Sequence, residues 1–230
     1  MDIQLFYVES GAGEPLILLH GNGENSDYFV HQISYFSRQR RVIAIDTRGH
    51  GKSPRGEAPF TIVQFAEDLL GFLNQHAIEK ADLLGFSDGG NIALTFALKY
   101  PKRVKRLILN GANLNPAGVK PSVQIPIVIG YRLASFFAQK SPSAGKNAEM
   151  LGLMVNEPNI MPEELAALPV KTLVITGTRD MIREKHSRLI YESLKDAKWE
   201  QIPGDHFIAN KNPDEFNRAV EQFLEMRSVC

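Results

Sequence analysis

The chain lacks the features of a disulfide-stapled, nucleic-acid-binding or membrane-spanning protein. Among its 230 residues there is a single cysteine, Cys230, at the last position. An internal disulfide and a thiolate metal cluster within one chain are therefore excluded, and no reactive thiol is marked. There is no excess of charge of either sign, with 26 basic and 26 acidic side chains and a pI near 7.0. A nucleic acid or an anionic membrane as partner would favour a basic face, and nothing of that kind is present. Long apolar runs are missing as well. The longest, "IPIVIGYRLASFF" at 125–137, is interrupted by Arg132 and falls short of the ~20 residues that a membrane-spanning helix requires. The first ten residues, "MDIQLFYVES", carry an acid at position 2 and no basic segment before an apolar run, so they do not read as a secretory signal. The expectation is a soluble, cytoplasmic protein, monomer or homodimer, with a small-molecule substrate and no metal or cofactor.

What is present is 43% hydrophobic residues, enough for one substantial core. Short apolar runs alternate with longer stretches of helical period. The runs fall at 15–21, 40–49, 80–86, 104–112, 170–177 and 197–204, preceded by an edge strand at 3–10. Stretches with apolar residues three and four apart lie at 25–39, 61–78, 91–100, 184–196 and 212–226. Runs that are apolar throughout, without alternation, belong to strands covered on both faces. The pattern predicts a mostly parallel sheet of about seven strands with helices on both sides. The alternation fails once, over 112–168, a proline-rich segment with two apolar patches, 125–137 and 150–155. It reads as two or three short helices forming a lid over the carboxyl edge of the sheet, since long insertions in compact domains usually serve function.

The stretch "DLLGFSDGGNIAL" carries the chemistry. Ser87 lies between Gly85 and Gly89, after an apolar strand and before a helix, the setting in which a serine is pushed into a strained turn at the end of a strand. A serine hydroxyl attacks poorly until a base removes its proton and an acid orients that base. Asp180 follows the run "TLVITG", and His206 follows "WEQIPG". Loops leaving the carboxyl ends of parallel strands open on one edge, so the three can meet there. The other histidines fit less well: His20 and His50 lie in glycine-rich turns upstream, and His31, His76 and His186 in helical stretches. Asp205, adjacent to His206, is poorly directed, and the loop after 104–112 offers only Asn110 and Asn113. The turn "LLHGNGENS" can supply an oxyanion donor at the amide of Asn22, paired with the amide of Asp88. The Asp88 carboxylate has two readings, a cap on its own helix or a contact for a substrate amine.

Taken in order, "LLHGNG", "VIAIDTRGHGKS", "LLGFSDGGNIAL", "TLVITGTRD" and "GDHF" resemble the α/β-hydrolase superfamily from about residue 14 to residue 226, the lid apart. The resemblance implies Ser87 as nucleophile, Asp180 as acid, His206 as base, and the amides of Asn22 and Asp88 as the oxyanion hole. It implies structural roles for Arg48 and His50. Relatives that open epoxides or displace halide carry aspartate at the elbow, so Ser87 points to acyl transfer: a carboxylesterase, thioesterase or lactonase. C–C bond hydrolysis and perhydrolysis use the same triad. A ligand-sensing receptor on the same fold, its lid recruiting a partner, is the alternative from another class. Departures from the family pattern are a single N-terminal strand, a small lid, and Asp205 where glycine more often precedes the histidine.

Overall fold

The computed structural model describes residues 2–226; Cys230 lies outside them. Seven strands form one sheet: β1 (Tyr7–Ser10), β2 (Pro15–Leu19), β3 (Arg41–Ile45), β4 (Ala81–Phe86), β5 (Val104–Asn110), β6 (Thr172–Gly177) and β7 (Ala197–Ile202), in the spatial order β1-β3-β2-β4-β5-β6-β7. Only β1 runs antiparallel, against β3; every other neighbour pair is parallel. The architecture is the mostly parallel sheet with helices on both faces that the strand and helix pattern predicted, and the α/β-hydrolase fold that the resemblance implied.

The continuous apolar runs have a direct cause. Leu16 and Leu18 of β2 and Val42 and Ala44 of β3 point into one core, which α1 (Val30–Phe36) and α9 (Pro213–Glu225) close with Phe36, Phe216, Val220 and Phe223. Their neighbours Ile17, Leu19, Ile43 and Ile45 point into the other core, closed by α2 (Ile62–Gln75) and α3 (Asp88–Lys99). Side chains alternate across a strand, so a strand covered on both faces must be apolar at every position.

From β2 the chain crosses outward to β3 and then returns to the opposite side of β2 as β4. The loops after β2 and β4 thus diverge and open a crevice at the carboxyl edge, the usual location of a site in such a sheet.

The 112–168 segment differs from the short helices expected of it. It holds α4 (Pro121–Phe137), α5 (Pro142–Asn156) and the single turn α6 (Pro162–Leu165), the first two being 17 and 15 residues long. Pro121, Pro142 and Pro162 stand at the first position of their helices, where the missing N–H costs nothing, and Pro126 sits inside α4. Helix α4 has no buried residue and exposes Ile125, Ile129, Leu133 and Phe136. The segment is tied down through α5 and the turn after it. Arg55 forms a two-point ion pair with Glu149, at 2.9 and 2.6 Å, and Glu157 accepts from the amide of Ile62 at 2.6 Å. No helix among the described residues is long and apolar enough to cross a membrane.

Arg48, fully buried, holds the loop after β3. Its Nε and Nη2 donate to the two oxygens of buried Asp68 on α2, each at 2.7 Å, and Nη1 also donates to the carbonyl of Arg55. Removing one partner of a buried pair strands the other's charge. Arg48→Ala should therefore lower stability by about 3–5 kcal/mol, measured by urea unfolding at neutral pH.

Candidate active site

The turn from β4 to α3 is sharp enough to place Ser87 at φ 54°, ψ −121°, a conformation that L-residues rarely adopt. Strain of this kind costs about 1–3 kcal/mol and persists only where surroundings over-determine it. Here the Ser87 N–H donates to the carbonyl of Asn110 at 2.8 Å, and its own carbonyl accepts from Gly90 and Asn91 at 2.8 and 3.1 Å. The flanking glycines serve close approach. A Cβ at Gly85 would stand 2.2 Å from the Gly89 carbonyl oxygen, and one at Gly89 2.0 Å from that of Leu19.

Asp180 and His206, from the loops after β6 and β7, meet at the same edge. Asp180 Oδ1 lies 2.7 Å from His206 Nδ1, with both side chains 4% exposed. The carboxylate is itself oriented, since Oδ1 also accepts from the Ile182 amide at 2.9 Å. The imidazole packs against the rings of Phe86 and Phe207, with centroids 4.8 and 5.6 Å apart. Gly111 leaves room for it, because a Cβ there would come within 2.6 Å of His206 Cε1. On the far side of the ring, Nε2 is buried and bonded to no protein atom among the described residues, Ser87 Oγ included. The rival acids and amides are engaged elsewhere: Asp205 with Lys211, Asn110 with the Ile175 carbonyl, Asn113 with Asn91.

The loop after β2 approaches from the other side of the crevice. Asn22 N–H and Asp88 N–H donate to no protein acceptor among the described residues. The Asn22 side chain is committed, its Nδ2 donating to the Met150 carbonyl of α5 at 2.6 Å and its Oδ1 lying 3.4 Å from His50 Nε2. His20, buried beneath, bridges the Gly21 carbonyl at 2.7 Å and the Thr47 amide at 3.0 Å. Burial, then the neighbouring His50, push its pKa down to about 4, so the ring is neutral. It donates through Nδ1 and accepts at Nε2. Thus His20 and His50 brace the two glycine-rich turns against each other.

Asp88 is buried, yet it caps no backbone amide of its helix. One oxygen accepts from Asn91 Nδ2 at 3.0 Å; the other is buried without a partner. Burial raises its pKa to about 6, helped by the charge of Glu157 and opposed by the Asn91 bond. Two contributors were not visible in the sequence. Asn91, inside the quoted stretch but given no role there, joins Asp88 to Asn113. Glu24, half-buried in the Asn22 loop, accepts from the Gly21 amide at 3.2 Å, and burial raises its pKa to about 7.

Beside this edge a cavity of about 750 Å³ runs between α5 and the loop after β3, lined by Arg55, Phe60, Gly145, Lys146, Glu149 and Met150. Met150 is shared with the Asn22 contact. No three His, Cys, Asp or Glu side chains among the described residues stand close enough to hold a metal ion.

Residues 14–139 match the family described as alpha/beta hydrolase fold. A 2-hydroxymuconate semialdehyde hydrolase of Pseudomonas sp. (strain CF600) is 33% identical over 74% of this chain, and the match spans 57% of that protein's length. A protein of the same name from Pseudomonas putida is 30% identical over 94% of this chain and 89% of its own. Among solved structures, the enol-lactonase from Burkholderia xenovorans LB400 superposes with a TM-score of 0.82 at 22% identity, covering 97% of each chain.

A carboxyl whose folded pKa lies above its unfolded value of 3.8 favours its protonated form in the native state. Its stabilising effect is present at low pH and is lost as pH rises through about 6. Asp88→Asn should therefore raise stability at pH 8 by about 1–3 kcal/mol, with the gain shrinking toward zero below about pH 4. Urea unfolding of both proteins at the two pH values checks this.

Proposed function

The chain belongs to the alpha/beta hydrolase family, and from that premise we propose that it is a serine hydrolase cleaving a small carboxylic ester, thioester or lactone. Ser87 Oγ attacks the acyl carbonyl while His206 Nε2 takes its proton, and Asp180 holds the imidazole and stabilises its charged form. The amides of Asn22 and Asp88 receive the oxyanion. The tetrahedral intermediate collapses as His206 returns the proton to the leaving oxygen or sulfur. Water, deprotonated by the same nitrogen, then releases the acid and restores Ser87. The observation that carries this reading is the buried Asp180–His206 pair with Nε2 left unbonded at the edge where the strained Ser87 turn projects. Hydroxyl and imidazole are not bonded in this structure, and such bonds commonly tighten only when substrate arrives.

The relatives named 2-hydroxymuconate semialdehyde hydrolase favour a second reading, hydrolysis of a carbon–carbon bond beside a carbonyl. The same residues serve, and the difference is that a carbon leaving group must be protonated.

The Asp88 carboxylate supports a preference within either reading. An unpartnered carboxylate oxygen beside the nucleophile, ionised above about pH 6, suits a substrate ammonium group.

Ser87→Ala should reduce kcat on short p-nitrophenyl esters by about 10⁴-fold or more, and a fluorophosphonate should label wild type at Ser87 and not this variant. An unlabelled wild type, inactive on esters, thioesters, lactones and a 2-hydroxy-6-oxo-dienoate alike, removes the proposal. Asp88→Asn should lose more activity on α-amino esters than on neutral ones at pH 8, as the ratio of kcat/KM values reports; equal losses remove the amine preference.

A further inference from the structure

Four residues of the loop after β2 form a closed ring that the hydrolytic reading does not use. The Glu24 N–H donates to the Gly21 carbonyl at 3.3 Å, and the Glu24 carboxylate, through Oε2, accepts from the Gly21 N–H at 3.2 Å. Both polar groups of Gly21 are thereby tied to one residue, and His20 adds a bond to the same carbonyl. Between these ends stand Asn22 and Gly23. Asn22 has its side chain drawn to the lid and its amide without a protein acceptor. Gly21 also packs closely against the end of β4. A Cβ there would lie 3.0 Å from both Glu24 Oε2 and Phe86 Cε1, and the Phe86 ring rests on His206. A carboxylate half-withdrawn from water is costly to maintain, and no cationic side chain among the described residues is bonded to Glu24. Beside it stands the Tyr28 hydroxyl, which burial, and then the charge of Glu24, keep protonated.

We propose that Glu24 is a positioning residue whose carboxylate locks the Gly21–Glu24 turn, so that the Asn22 amide is held ready for the oxyanion. Without the lock, the Gly21 amide is a free donor beside a glycine-rich loop, and the loop can rotate the Asn22 N–H away. A donor held in place acts on the transition state and barely on bound substrate, so its loss falls on kcat and leaves KM.

The inference rests on Ser87 acting as nucleophile, and the test separates the two. Glu24→Ala, Glu24→Gln and Glu24→Asp are assayed with p-nitrophenyl acetate at pH 8, and phenylboronic acid serves as a probe of the tetrahedral adduct. Glu24→Ala should lose about 10–100-fold in kcat with KM unchanged within about 2-fold, and its boronate affinity should fall in parallel. Glu24→Gln keeps an acceptor at the same reach and should stay within about 3-fold of wild type, whereas Glu24→Asp keeps the charge but is one methylene short and should behave like Glu24→Ala. If Glu24→Ala does not fold, the contrast between Gln and Asp decides. A Glu24→Ala variant equal to wild type overturns the role of Glu24 alone, as does a Gln variant as impaired as Ala. A wild type that neither hydrolyses the ester nor binds the boronate overturns both assignments.

Discussion

The site depends on one close approach: the crossing of the Ser87 turn over the end of β2, where the Gly89 backbone touches the Leu19 carbonyl closely enough to admit no side chain. That contact forces the chain from strand to helix within one residue and leaves Ser87 in a backbone conformation it would not adopt alone. It also sets the amide of Asp88 beside the loop that follows β2, so the geometry of the Ser87 turn and that of the two unbonded amides follow from the same contact. The sheet order supplies the rest. Because β2 and β4 are neighbours whose connections depart in opposite directions, the crevice lies directly over the contact.

Around this point the protein tolerates polar groups that a core would exclude. Asp88 keeps a buried carboxylate oxygen without a partner, and His206 a buried ring nitrogen. Glu24 keeps a half-buried carboxyl with no bonded cation. Each is unfavourable for folding, and they gather within one edge, whereas Arg48 and Asp68, equally buried, satisfy each other with two bonds. The contrast separates a polar pair that holds a loop from polar atoms left available to a ligand.

Much of this was legible from residue order. The parallel strands could be read from their apolar runs, and residues 3–10 were read as an edge strand, of which 7–10 pair as β1. Ser87, Asp180 and His206 could be proposed because each follows such a run. The 112–168 segment was legible only as an interruption. Its helices are longer than expected since proline, a breaker inside a helix, is also a favoured first residue, and the sequence does not distinguish the two uses in advance. Asn91 gave no signal, being a helical polar residue whose importance comes from facing Asp88 and Asn113 across a turn.

The sequence by itself determined the class of fold, the strand that carries the serine and the edge on which its partners emerge, because periodicity and glycine spacing are local properties of the chain. Only the tertiary structure decided that the Asp88 carboxylate caps nothing and is left half-unpaired among the described residues, and that Glu24 closes the loop bearing Asn22. Those are matters of which group reaches which partner out of water. Burial and distance are set by the packing of segments far apart in the chain, and no local pattern encodes them.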